Sequence, residues 1–429
     1  MQPASISLPL PKKHERLARR LEEFRSAARP GHLSLALRLE SEPLFLDYDG
    51  PETLRMTDGA ASPWIPAGCL AKPLTATLLA TAISEGRLEW NSRVDDILEV
   101  RGPARNRLAG ITLSHLLNHT HGLDASRIDA VPRTRAGLID PATLCEQLAS
   151  SALNSPGELY SYSNAGAWLA GAALERLTGT PYSQLLWETP AIVSGNALEQ
   201  SGRPSPLCPA TGGPLALPIT HWLSFAEHHA SSDPLSPDPR ARGVASLRAS
   251  QAPLPGWSPA EQAACLGWKY YGEGWFGHTA NTATSIAFLR FHPADRLAIV
   301  MSASSDIALF AFSVLFRDYF PELKNLKFPR RLTREEGESV RPDSYEGIYA
   351  QAKTQIRIAQ TDTGRLSFAI TSDDPALSAS AQPLQPADNQ VFFPEGKRNP
   401  EFPFLQFLPA SGREPFSHLW NGKHLWRRQ

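Results

Sequence analysis

Apolar residues fall on a helical stripe near the start of the chain, where Leu17, Leu21, Phe24 and Ala28 recur among Lys, Arg and Glu over residues 12–28. That spacing predicts an amphipathic helix covering the edge of a core, ended by Pro30 and Gly31. The period then shortens to that of strands. Residues 33–39 and 44–48 flank a polar break and read as an antiparallel hairpin. From about Lys72 to Leu186 the helical period returns, with Leu74, Leu78 and Ala82 on one stripe and Trp168, Leu169, Ala172, Ala173 and Leu177 on another. Gly86 and Gly179 stand where C-terminal caps belong. Strand character reappears at 284–291 and 297–302 around a Pro-Ala-Asp turn, and a helix is expected over 307–319.

This order predicts an α/β fold: one antiparallel sheet whose halves come from distant parts of the chain, flanked by helices, with an all-helical insertion between them. The active site is expected where sheet and insertion meet. Prolines crowd residues 204–259, which reads as a long irregular excursion. Residues 1–325 are expected to form one domain, with the insertion at about 73–210. Residues 326–343 read as a linker, and the short alternating segments at 355–359 and 366–370 place a small all-β domain over 344–429. That last domain shows no obvious chemistry of its own.

Composition narrows the function. With 429 residues, 42% hydrophobic and 20% charged, the chain can bury a sizeable core. Forty-two Lys and Arg against forty-three Asp and Glu give a net charge of -1, without the basic excess of a nucleic-acid or anionic-membrane binder. No apolar run approaches a membrane span, and the N-terminus has no secretory pattern, so a cytoplasmic location is expected. Cys69, Cys145, Cys208 and Cys265 lack paired spacing, which argues against disulfides and a zinc ribbon.

Three short motifs carry the candidate chemistry. In Gly68-Cys-Leu-Ala-Lys72, a helix starting at Cys69 would project Lys72 from the same face, so thiol and amine could meet. A helix N-terminus and a nearby cation both lower a thiol pKa from its usual value of about 8.5. In Tyr160-Ser-Tyr-Ser-Asn164, Tyr162 and Asn164 can both enter a cleft, one as a proton shuttle and the other as an orienting amide. Gly277-His-Thr-Ala280 can bring an imidazole and a strand-edge N–H to the same place. Each of the first two motifs alone has a plainer reading: a buried small residue for Cys69, and a polar turn with an Asn cap for the second.

Taken in order, the motifs resemble those of the serine β-lactamase, DD-peptidase and esterase superfamily, S-x-x-K, Y-x-N and K-T-G or H-x-G, over residues 15–320. Leu116-Leu-Asn-His-Thr-His-Gly-Leu123 is similar to the family's LLTHTSGL, and the run from Asn164 to Gly179 followed by Pro181-Tyr182 is similar to the family helix that ends in a TG-x-PY turn. The Y-S-N and H-x-G forms are closest in kind to the class C, esterase and D-aminopeptidase branch. Tyr345-Glu-Gly-Ile-Tyr349 looks like the start of the small lipocalin-like barrel that often trails that branch.

The resemblance implies Cys69 as nucleophile, with Lys72, Tyr162, Asn164 and His278 around it. It further implies an oxyanion site from the backbone N–H groups of Cys69 and Asn281, and a pocket near Trp275, Phe276, Thr279 and Ala280. It implies no cofactor and no metal, and small-molecule acyl donors and acceptors as partners. There are two departures: cysteine stands where the family has serine, and the third motif ends in Ala280 rather than Gly. Pro73, directly after Lys72, is tolerated in a first helical turn. A thioester is better disposed toward amines than toward water, so acyl transfer in small-molecule biosynthesis is the expected role, and poor protection against β-lactams is expected with it. The rival is a catalytically inactive binding scaffold of the same fold. His115, His119 and His121 stand close together, but hydrogen-bonded structural histidines are a better expectation for them than zinc ligands.

Overall fold

In a computed structural model of the protein, the described residues run from 12 to 429. The longer stretches outside them are 124–133, 189–214, 327–343 and 396–403; the shorter ones are 28–30, 40–42, 51–54, 60–61, 136–137, 149–151, 259–260, 283–284, 352–353, 376–377, 387–389, 411–412, 422–423 and positions 58, 257, 325 and 374. Pro30, Ala28, Cys208, Thr284 and almost all of the expected linker therefore lie outside the described residues. The chain forms two compact units. The first comprises Met1–Glu89, Leu174–Gln251 and Cys265–Pro329, and the second comprises Trp90–Ala173, Ala252–Ala264 and Arg330–Gln429.

Helix α1 (Lys12–Ala27) is followed by strands β1 (Gly31–Arg38), β2 (Pro43–Gly50), β3 (Arg55–Thr57) and β4 (Trp64–Pro66), then helix α2 (Ala71–Ser84). The helical stretch continues through α3 (Val94–Ile97), α4 (Pro103–Leu108), α5 (Leu113–Leu117), α6 (Pro141–Glu146), α7 (Asn164–Thr178) and α8 (Tyr182–Trp187). After β5 (Ala216–Pro218) come α9 (Ile219–Ser231) and α10 (Pro239–Ala249). Strands β6 (Ala252–Pro253), β7 (Ala263–Ala264), β8 (Lys269–Gly272), β9 (Trp275–Asn281), β10 (Ile286–His292) and β11 (Leu297–Ala303) lead to helices α11 (Ser305–Ser313) and α12 (Phe320–Lys324), joined by a π-helical turn, Val314–Tyr319.

In the first unit the strands run in the order β3-β2-β1-β11-β10-β9-β8. β1 pairs antiparallel with β11, Leu33 opposite Ala303 and Leu37 opposite Ile299, so the sheet joins chain segments far apart in sequence, as the pattern of elements predicted. β11 is buried along its whole length, the condition of a strand covered on both faces. On one face Phe225 and His229 of α9 pack on Trp268 and Phe291, and Thr77 of α2 hydrogen-bonds His229 Nε2 at 3.0 Å. On the other, Trp275 packs on Phe316 and Phe320, and Phe288 on Phe312. Leu17 and Leu21 of α1 are buried, and His14 Nδ1 meets the Tyr319 hydroxyl at 2.6 Å.

The expected irregular excursion over 204–259 is corrected in its described part, which holds two regular helices. Pro218 occupies the N-cap of α9, and Pro239 sits at the first turn of α10 behind the N-cap Asp238. A first helical turn has no use for the missing proline N–H, so these prolines start helices instead of breaking them. Gly86 and Gly179 take the left-handed backbone expected of caps, with φ of 71° and 68°.

The second unit holds the short helices α3 to α6 and a closed barrel. The barrel strands are β12 (Gly347–Gln351), β13 (Thr354–Gln360), β14 (Leu366–Ser372), β15 (Ala379–Pro386), β16 (Val391–Pro394), β17 (Leu405–Ala410), β18 (Arg413–Trp420) and β19 (Leu425–Arg428). They pair in sequence order, and β19 closes on β12. Tyr345, Tyr349, Phe368, Phe392, Phe407, Phe416 and Trp426 share one buried cluster, which fills the interior as in other small barrels. Among the described residues, no helix is long and apolar enough to cross a membrane.

Candidate active site

Cys69 lies in a 3-10 turn, Gly68–Leu70, that runs directly into α2. Its thiol is half-buried and in no disulfide. Lys72 follows one helical turn later and is only 2% exposed, an uncommon place for an ammonium group. Pro73 falls within the first turn of α2, and its carbonyl accepts from Thr77 Oγ1 at 2.8 Å. Gly267, with φ of 76°, lets a neighbouring turn lie on α2: a Cβ there would stand 2.5 Å from Ala76 Cβ and 3.2 Å from the Lys72 carbonyl oxygen. Only glycine fits on both counts.

The third motif comes to the same place. A Cβ added to Gly68 would lie 3.1 Å from Ala280 Cβ, so the cysteine turn rests on the end of β9. Ala280, where the resemblance leads one to expect glycine, is accommodated because Gly68 carries no side chain. His278 is buried, and its Nδ1 donates to the Thr279 carbonyl at 2.9 Å. Burial pushes its pKa well below the usual value, and the nearby Lys269 and Lys72 cations push the same way. The neutral ring therefore carries its lone pair on Nε2. The first unit thus gathers Cys69, Lys72, His278 and Ala280, with Asn281 exposed at the end of the same strand.

The pocket candidates divide by strand alternation. Phe276 lies on the His278 face and packs on Phe291 and Tyr270. Trp275 is on the other face, fully buried against Phe316, Phe320 and His292. Thr279 Oγ1 accepts from Arg290 Nη2 at 2.8 Å.

Tyr162 and Asn164 belong to the second unit, in the loop that enters α7. Tyr162 is buried, its ring centroid 4.5 Å from that of His119. His119, at φ of 60°, accepts the Ser163 N–H on Nδ1 at 3.3 Å and the Ser161 N–H on its carbonyl at 2.9 Å. Asn164 opens α7, half-buried, and the next N–H bonds to Ser163 Oγ. The other two histidines of that motif are engaged as well: His115 closes the capping box of α5 with Thr112, and His121 Nδ1 accepts the Leu123 N–H at 3.0 Å. Each of the three rings holds backbone in place.

Three residues near these motifs were not marked by any sequence pattern. Lys269 on β8 pairs in register with Gly277. Arg290 on β10 is buried, lies 3.9 Å from the Tyr271 ring centroid, and donates to the His278 carbonyl at 2.6 Å. Its one sequence signal is a charged residue inside the apolar run Ile286–His292. His424, on the turn into β19, donates from Nδ1 to the Tyr162 carbonyl at 3.1 Å; nothing in the barrel sequence pointed there.

Comparison with known proteins bears on the fold and the superfamily. Residues 64–190 match the beta-lactamase family. The chain is 24% identical over 306 residues to penicillin-binding protein 4 of Amycolatopsis lactamdurans, covering 61% of this chain and 78% of that protein. A probable fimbrial assembly protein of Dichelobacter nodosus, FimD of serogroup H1, is 32% identical over 117 residues, 27% of this chain and only 30% of that protein's length. Among solved structures, SurE with D-Leu has a TM-score of 0.76 at 20% identity, over 97% of this chain and 99% of that one. A beta-lactamase/D-alanine carboxypeptidase from Pseudomonas syringae has a TM-score of 0.54 at 18% identity, over 70% and 98%. The fold is β-lactamase-like α/β followed by a closed eight-stranded barrel, and these likenesses support the β-lactamase and penicillin-binding-protein superfamily.

Proposed function

We propose that the protein is an acyl-transfer enzyme working through a covalent thioacyl-enzyme on Cys69, a cytoplasmic transacylase or amide or ester hydrolase of small-molecule biosynthesis. The superfamily suggests acyl-transfer and hydrolase chemistry in general. The observation that carries the narrower reading is the half-buried Cys69 thiol in the turn that opens α2, one helical turn ahead of the buried Lys72.

In this reading the Cys69 thiol gives up its proton through Lys72 to Tyr162 as Sγ attacks the acyl carbonyl carbon of the donor, the bond to the leaving group breaks, and Tyr162 passes that proton to the leaving group. Backbone N–H groups of Cys69 and Asn281 hold the oxyanion. An amine or water then attacks the thioester, the C–S bond breaks, and the proton lost by the attacking group returns through Tyr162 and Lys72 to the sulfur. Asn164 orients the acyl amide. His278 is neutral, with its Nδ1–H committed to the Thr279 carbonyl.

Sulfur favours transfer over hydrolysis, because thioesters react more readily with amines than with water. The likeness to SurE, solved with D-Leu, makes a D-amino acid the first acyl acceptor to try.

Intact-protein mass spectrometry tests the reading. Wild type and Cys69→Ala are incubated with activated esters, acyl thioesters and β-lactams. An acyl increment on the wild type, absent from the variant, is expected, and added D-leucine should release it faster than water does. Equal release with and without amine would remove the transfer half of the proposal. No adduct from any donor, with the thiol still titratable, would favour a binding scaffold.

A further inference from the structure

The barrel reaches two consecutive residues of the Tyr-Ser-Asn loop, Ser161 and Tyr162. The Leu425 N–H and Gln351 Nε2 donate to Ser161 Oγ at 3.2 and 3.4 Å, and His424 Nδ1 donates to the Tyr162 carbonyl at 3.1 Å. Close by, His418 Nε2 bonds the Leu153 carbonyl at 3.1 Å. Ser161 and Gln351 are both buried, so these bonds are made out of water, where a lost partner is costly.

His424 is itself fixed. Its backbone N–H bonds Asn421 Oδ1 at 2.7 Å, and its ring meets Trp426 edge to face. The same ring stands edge-on to Tyr162, with centroids 6.4 Å apart, while His119 packs on Tyr162 at 4.5 Å. Tyr162 is thus flanked by two imidazoles, one from its own helical segment and one from the barrel. Because a carbonyl only accepts, His424 must carry its proton on Nδ1.

We infer that His424 is a positioning residue for Tyr162, and that the C-terminal barrel takes part in the reaction by fixing the proton shuttle instead of trailing as an inert appendage. The inference rests on the acyl-transfer reading above. A hydrogen bond to the tyrosine's own carbonyl sets the φ and ψ at which its phenol is presented, and proton transfer tolerates little misplacement. Loss of that bond should slow steps that need Tyr162 and leave the reactivity of the cysteine itself untouched.

The experiment uses the full chain with p-nitrophenyl butyrate as donor and D-leucine as acceptor, and compares wild type, His424→Ala, His424→Asn, His424→Gln, Tyr162→Phe and the Tyr162→Phe/His424→Ala pair. Expected for His424→Ala is a fall in kcat of about tenfold or more with KM within about twofold. Iodoacetamide alkylation of Cys69 should stay at the wild-type rate. Asparagine places an amide nitrogen where Nδ1 stood and should recover most of kcat; glutamine places it where Nε2 stood and should not. In the Tyr162→Phe background His424→Ala should cost nothing further.

Wild-type kcat in His424→Ala overturns the inference. So does a loss that asparagine and glutamine repair equally, or one that multiplies with Tyr162→Phe. Should the alanine variant fail to fold, the asparagine and glutamine pair decides alone. If the wild type itself forms no Cys69 adduct, the acyl-transfer reading falls and this inference falls with it; if it does and the variants match it, only the positioning role is lost.

Discussion

The Arg290 guanidinium donates to the carbonyl oxygen of His278 across 2.6 Å and, through its other nitrogen, to Thr279 Oγ1 across 2.8 Å. One planar cation therefore holds two successive residues of the third motif while its face rests on Tyr271. Lysine can reproduce neither the fork nor the stacking. Arg290→Lys is expected to lose about 2 kcal/mol of stability, and Arg290→Met to lose at least as much. Arg290 is also among the cations that depress the His278 pKa, so in Arg290→Met the imidazole should titrate at higher pH. Urea unfolding and an NMR titration of His278 check both; a lysine variant as stable as wild type would refute the fork.

Acid should destabilise the fold early. His121, His229 and His278 are buried and neutral, their pKa values pushed down by burial, to about 4 for His121 and well below the usual value for the other two. In the unfolded chain each protonates near pH 6.5. Below that pH the unfolded state binds more protons than the folded one, so stability is full above about 6.5 and falls as pH drops toward the folded pKa values. Each histidine can contribute up to about 1.4 kcal/mol per pH unit across that window. Urea midpoints at pH 7.5, 6.0 and 5.0 measure this, and a flat profile would show that the rings are protonated in the fold.

Gly267→Ala and Gly86→Ala separate steric overlap from backbone strain. Both glycines have positive φ, 76° and 71°, but a Cβ at Gly267 meets Ala76 at 2.5 Å, whereas at Gly86 it meets nothing within 4 Å. Gly86→Ala should cost about 1 kcal/mol. Gly267→Ala adds overpacking of about 1–3 kcal/mol, and because it presses on the Lys72 carbonyl it should also slow acylation of Cys69. Equal melting temperatures for the two variants would rule out the steric account.

Thiol reactivity should be selective. Burial raises the pKa of Cys145 to about 11 and of Cys265 to about 12, so at pH 8 both are thiols with no access to reagent. In a Cys208→Ser background, iodoacetamide is expected to label Cys69 alone under native conditions, read by peptide mass spectrometry. Labelling of Cys265 at a comparable rate would mean that the α10–β8 region opens.

Much of this was legible from pattern. The hairpin at 33–48, the strand pair at 286–303 and the join between them follow from period and order, because a sheet buried on both faces leaves long apolar runs. That Cys69, Lys72 and His278 come close together was legible because their order resembles a known set. Arg290, Lys269 and His424 were not, since each acts through a contact made across strands or from a distant segment, which no local spacing encodes. The prolines at 218 and 239 misled for a related reason: composition alone cannot tell a residue that opens a helix from one that breaks it.

Each of the two compact units is assembled from three separated stretches of chain. The loop bearing Tyr162 groups with strands that follow it by well over a hundred positions, and the turn bearing Cys69 groups with β9 and β11 after a comparable interval. During synthesis, then, neither half can be completed as its first stretch leaves the ribosome. Both must wait, partly folded and with apolar faces uncovered, for sequence still to be translated, which makes the nascent chain a natural client for chaperones that shield such faces.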